Sequence, residues 1–224
     1  MRNVVFLDNK IDKDEALALL DDYAEFFEKH TGIKPIFWVQ RKDFSSVPTS
    51  PDNDGDLKPT WGYRQALAKD VHDRYGDYGT DNIIMWVHED NFLYKGIWGV
   101  NYSYAHFKYC FQLCRWDKDN PANTFGTLYH EQMHSFDAVV EKETDFGEVD
   151  DLLGGIHWDQ MVHGEGKWDY IGRRTGRENT AALEIIAPQL RAAYQKRLQA
   201  HFKPVVTVQK RLLALLTRLL SNLK

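Results

Sequence analysis

Residues 130–134 of this 224-residue chain read His-Glu-Gln-Met-His. On an α-helix, side chains four residues apart leave the same face, so His130 and His134 could both turn an imidazole nitrogen toward one ion. A zinc ion takes such nitrogens at about 2.0–2.1 Å and, in catalytic centres, keeps one position open for water. Glu131 directly follows the first histidine, where its carboxylate could accept a proton from that water as general base. The chemistry this pattern predicts is metal-assisted hydrolysis.

Such a motif acts only if a helix presents it. Phe125, Leu128, Tyr129, Phe136, Val139 and Val140 form an apolar stripe, while His130, His134 and Asp137 follow one another on a different face. Asn120 can cap the start, and Pro121 suits the first helical position, which lacks an intrahelical donor role. Asp137 could hold the outer nitrogen of a ligand imidazole and fix its tautomer.

Upstream, Asn3–Leu7 reads as a short strand and Lys13–His30 as an amphipathic helix stopped at Thr31-Gly32. Ile33–Val39 is a second strand, so the opening is β-α-β. Residues 43–59, rich in Ser, Pro, Asp and Gly, predict a surface loop. Tyr63–Tyr75 predicts a second helix ended by Gly76, and the nearly all-apolar Asn82–His88 predicts a central strand. Lys95–Tyr102 and Tyr109–Trp116 are two further strands. Downstream, Glu141–Ile156 is acidic with paired glycines, and Asp159–Arg177 is loop-like. Thr180–His201 predicts a long helix with Pro188 near its start. In the final segment, Val205–Lys224, Leu212, Leu216, Leu219 and Leu223 fall on one stripe of an amphipathic helix, a surface for packing on the domain or for self-association.

The motif and the order of these elements resemble the zincin metallopeptidases. The resemblance implies an α+β fold: a twisted mixed β-sheet with backing helices, an active-site helix and a mainly helical C-terminal lobe. Residues 1–142 would form the N-terminal lobe with the active-site helix, 143–203 the lobe supplying the third ligand, and 204–224 the amphipathic C-terminal helix. Gly96–Tyr102 would be the edge strand that holds an extended substrate. The activity implied is a zinc-dependent peptidase with Zn2+ as cofactor and a peptide or protein as substrate.

Metzincins continue the motif with a glycine and a third histidine, and here those positions hold Asp137 and Val140. HEQMHSFD is instead similar to the HExxHxxD string of gluzincins, in which a glutamate on a later helix completes the site. Glu184 is then the expected third ligand. It is a lone carboxylate in the apolar run Ala181–Pro188 and needs a partner, for which a metal would serve and Arg191 is the alternative. His163, His157, Asp150, Asp151 and Glu178 are rival ligands; the aspartates enter because GEVDDLLG (147–154) partly resembles the GTxDxxYG string of aspzincins. By the same resemblance, Tyr170 could donate to an oxyanion.

The composition, 43% hydrophobic and 27% charged, is that of a soluble globular protein. A net charge of −5 and a pI near 6.0 give no general attraction to phosphate backbones, so no nucleic-acid partner is expected. The opening apolar run is too short for a signal-peptide core, and no stretch reaches membrane-spanning length. Cys110 and Cys114 would lie too far apart along one strand to bridge, which favours a reduced, cytoplasmic setting. Two other readings stay open: a metal-stabilised structural or binding module of a virion or secretion system, and an amidase acting on cell-wall material, with Trp61, Trp98, Trp158 and Trp168 at its rim.

Overall fold

The computed structural model describes residues 1–51, 57–77, 79–92, 99–104, 109–143, 146–164, 166 and 180–221. For 57, 102–104, 109, 137–143, 146–148, 159 and 201–221, Leu213 excepted, it describes the backbone only. In chain order the strands are β1 (Arg2–Asp8), β2 (Ile36–Lys42), β3 (Thr49–Pro51), β4 (Leu57–Pro59), β5 (Asn82–His88), β6 (Gly99–Tyr104) and β7 (Tyr109–Trp116). The helices are α1 (Lys13–Thr31), α2 (Trp61–Tyr75), α3 (Pro121–Glu143), α4 (Phe146–Leu152), α5 (Trp158–Val162) and α6 (Thr180–Ser221).

β1 and β5 are the near-continuously apolar strands, and both are interior to a five-stranded sheet of order β2-β1-β5-β7-β6. β2, β1, β5 and β7 run parallel, whereas β6 pairs antiparallel with β7 at the edge. The chain leaves β1 in one direction across the sheet and returns past it from β2 to β5. Right-handed crossovers therefore put α1 and α2 on opposite faces. The core divides accordingly. Val4, Phe6, Ile83 and Met85 pack with Leu67, Ala68 and Val71 of α2. Val5, Leu7, Ile84, Trp86 and Cys114 pack with α1, α3, α5 and α6 in a larger cluster.

Local signals explain the ends of α1. The Asp12 carboxylate accepts from the backbone N–H groups of Asp14 and Glu15, and Gly32 takes a left-handed φ of 71° where its N–H closes on the Glu28 carbonyl. α2 starts on Thr60, whose hydroxyl accepts from the Tyr63 N–H.

Four expectations change. The second strand begins at Ile36 rather than Ile33, because its first rung is the Ile36 N–H to the Met1 carbonyl at 2.8 Å and Pro35 precedes it without a donor. The stretch 43–59 carries two short antiparallel strands, β3 and β4, paired from Thr49 opposite Pro59 to Pro51 opposite Leu57. The loop-like stretch from Asp159 is preceded and entered by α5, anchored by buried Trp158 and Met161. The two C-terminal helices are one, α6, which runs through Pro188 and Pro204. Of the strand expected at Lys95–Tyr102, the part before Gly99 lies outside the described residues. The chain is a mixed α and β structure with a mixed sheet, as the α+β reading requires. Among the described residues no helix is long and apolar enough to cross a membrane.

Candidate metal centre

α3 carries the motif, and its start is tightly organised. The Asp117 carboxylate accepts from the N–H groups of Asp119 and Asn120 and from the Asn123 amide, while Thr124 Oγ1 accepts from the Asp117 N–H. Phe125, Leu128, Tyr129, Met133 and Phe136 are buried, forming the stripe that seats the helix. Their partners are aromatic: Phe26 of α1 meets Phe125 and Tyr129 edge to face at 5.4 and 5.2 Å, and Phe27 meets Phe136 at 5.4 Å. With that face committed to the core, the histidines turn elsewhere.

His130 and His134 face each other with their Nε2 atoms 3.1 Å apart. Two nitrogens bound to one tetrahedral ion at about 2.0–2.1 Å would be separated by roughly 3.3 Å, so the pair already has a chelating geometry. His163 completes the group: one ligand atom from each of His130, His134 and His163 lies within 4.8 Å of the others. The ring of His163 is 5.3 Å from that of His130 and 5.0 Å from that of His134. Three imidazoles grouped this closely could hold a divalent transition ion.

His163 arrives by packing. The Trp158 indole N–H donates to the Met133 carbonyl at 2.6 Å, tying α5 to the turn of α3 between the two histidines. Trp158, Met161 and Val162 are fully buried, so α5 has one orientation and delivers the next residue, His163, to the pair. The chain then reverses at Gly164, φ 79°, whose N–H bonds the Met161 carbonyl.

Glu131 is 4% exposed, and burial pushes its carboxyl up to about 8. A carboxyl poised near neutrality suits proton transfer, and a cation beside it would favour its charged form.

Beneath α3 lies a buried polar ladder, one side chain from each of four strands. Asn82 Nδ2 donates to Asn3 Oδ1 at 2.8 Å, and Gln132 Nε2 reaches Gln112 Oε1 at 3.2 Å and Asn3 Oδ1 at 3.4 Å. Gln112 Nε2 donates to Ser135 Oγ at 2.5 Å. Asn101 Nδ2 donates to the Glu131 carbonyl at 2.6 Å and to Ser135 Oγ at 2.8 Å. These amides fix the height and rotation of the motif helix on the sheet. Sequence reasoning passed over them; the available signal was one amide residue in each of the four strands.

Glu184, expected as third ligand, is placed elsewhere. Its carboxylate meets His30 Nδ1 at 2.7 Å and is 55% exposed, because this turn of α6 faces α1 rather than the histidines. His157 is exposed and starts α5, its carbonyl accepting from Met161. Asp150 and Asp151, at the end of α4, are outside the histidine group. Trp158, expected at a rim, is a core residue; Trp61 is 52% exposed with Arg64 over its ring. The side chain of Asp137, and Glu178, Tyr170, Trp98 and Trp168, lie outside the described residues.

The chain matches no family model, no curated protein and no solved structure. What the site can do is therefore decided by its own side chains. It combines three convergent imidazoles, two from one helical turn and one from a neighbouring helix end, with a buried carboxyl adjoining the first.

Proposed function

We propose that this chain is a zinc-dependent hydrolase of peptide bonds, with His130, His134 and His163 as metal ligands and Glu131 as general base. One observation carries the reading: three imidazoles, two from α3 and one from the residue after α5, bring ligand atoms within 4.8 Å of one another, and the residue next to the first of them is a buried glutamate. Zinc suits an all-imidazole set that leaves a fourth position to water or substrate. Bound there, the ion supplies Lewis acidity toward a carbonyl oxygen and a water.

The chain's own residues do the rest. Glu131, shielded from solvent, takes the proton of the attacking water and returns it to the leaving amine, a transfer helped by a carboxyl whose pKa is close to ambient pH. Trp158 holds α5 against α3 so that His163 stays with the pair. The zincin-like arrangement is part of this proposal. Its supports are the antiparallel edge strand β6, the sheet it borders, and the motif helix packed on that sheet.

The test is metal analysis of the purified protein together with digestion of an unstructured protein substrate. One zinc per chain and cleavage abolished in Glu131→Gln are expected. Stoichiometric zinc with no cleavage by the parent would favour a structural role for the ion.

A further inference from the structure

Glu131 is gripped by β6 at both of its ends. Gly99 and Asn101 are two residues apart on that strand and face α3, whereas Val100 between them packs with the cluster on the other side of the sheet. A Cβ at position 99 would lie 2.5 Å from Glu131 Oε1, 2.8 Å from Glu131 Cγ and 2.8 Å from Thr127 Cγ2. The carboxylate thus rests against the bare backbone of the strand, in space that only glycine leaves free. Thr127 cannot swing aside without losing its own bond, Oγ1 to the Asn123 carbonyl at 2.9 Å. At the other end, Asn101 Nδ2 holds the Glu131 carbonyl at 2.6 Å and ties Ser135, one turn on, into the same bond pair.

We propose that Gly99 and Asn101 are positioning residues that set where the Glu131 carboxylate stands. The proposal rests on the reading of Glu131 as base for its catalytic consequence, though not for its geometry. Neither residue exchanges the proton itself; each acts through Glu131. Gly99 fixes how close the carboxylate comes to the strand, and Asn101 fixes the turn of helix from which it projects. Since catalysis falls about 100-fold for a misplacement of about 1 Å, a single methyl at position 99 has a disproportionate effect on turnover.

Two readouts separate the outcomes. The first is the side-chain carboxyl 13C resonance of Glu131 in the metal-free protein, assigned by its loss in Glu131→Gln. Gly99→Ala and Asn101→Ala should each move it. Gly62→Ala is the control, since its new methyl meets nothing within 4 Å, and should leave it in place. The second is hydrolysis of an unstructured protein by the zinc-loaded protein: Gly99→Ala should lose about 100-fold in kcat with KM near the parent's. An unmoved Glu131 resonance in both variants overturns the proposal, whether or not the parent cleaves anything. A parent that cleaves nothing overturns the peptidase reading alone, and the resonance still decides the positioning role. Should Gly99→Ala fail to fold, Asn101→Ala, which only removes atoms from a half-buried site, decides by the same measurement.

Discussion

Glu184 gives its carboxylate to His30, 2.7 Å away between α6 and α1, and is not a member of the histidine group. His163→Ala should therefore weaken zinc binding by more than about 100-fold, since outer-shell changes alone cost about 10–100-fold and this removes a ligand. Glu184→Ala should leave zinc stoichiometric, with at most a small loss of stability from an exposed ion pair. Competition with a chromophoric chelator measures both. Zinc retained by the His163 variant and lost by the Glu184 variant would reverse the assignment.

Replacing Glu131 by Gln keeps the shape of the side chain and removes its basicity. Turnover should drop by about 10²–10⁴-fold while zinc content stays at the parent level. Steady-state cleavage of a quenched peptide library, with metal analysis of the same sample, tests this. Parent-level turnover would assign the proton transfer elsewhere.

The metal-free protein should lose stability as pH rises between about 5 and 8. Burial raises the folded-state value of Glu131 from 4.5 to about 8, so in this window the folded chain holds a proton that the unfolded chain has released. The contribution is complete below the unfolded value and is lost as pH climbs through the folded one, amounting to a few kcal/mol at most, at about 1.4 kcal/mol per unit. Urea denaturation with a chelator present, at pH 5 and pH 8, should show a shallower pH dependence in Glu131→Gln. Identical slopes for variant and parent would contradict the assignment.

Trp158→Phe preserves the buried ring and deletes the donor to the Met133 carbonyl. The fold should survive with a loss of about 0.5–1.5 kcal/mol, and zinc affinity should fall about tenfold as α5 loosens its hold on His163. Thermal melting and chelator competition report the two effects separately. An unchanged affinity would mean that packing alone places His163.

Asp81, at the mouth of β5, is 1% exposed and accepts from the Arg2 backbone N–H at 2.7 Å, with the Arg197 guanidinium 3.1 Å away. Asp81→Ala should cost about 3–5 kcal/mol, because buried guanidinium charge loses its carboxylate. The variant's urea midpoint, compared with that of an exposed change such as Asp73→Ala, measures the cost. Equal midpoints would show that solvent replaces the carboxylate without penalty.

The parts of this molecule with strong periodicity were legible in the sequence. Asn82–His88 and Tyr109–Trp116 are strands at those bounds because each is apolar enough to be buried, and α1 is bracketed by an Asp cap and a left-handed glycine. The histidine pair could be read because it obeys a local rule, the pitch of a helix. The third histidine obeys none. It is brought in by the burial of Trp158 and by a hydrogen bond between residues 25 apart in sequence, and local pattern carries no trace of such contacts. The lone carboxylate at Glu184 was a fair candidate by polarity, but its partner on α1 lies 154 residues away. The amide ladder was hidden for a similar reason: Asn3, Asn82, Gln112 and Asn101 look like interruptions of strands until the sheet order sets them side by side.

An ion shared by α3 and the residue after α5 would act as a rivet through the chain, joining points 29 residues apart, His134 and His163. An ion held only by the folded form shifts the balance toward that form. Metal supply would then govern how long the protein survives as well as what it can do, so that scarcity of the ion would leave fewer intact copies and not merely idle ones.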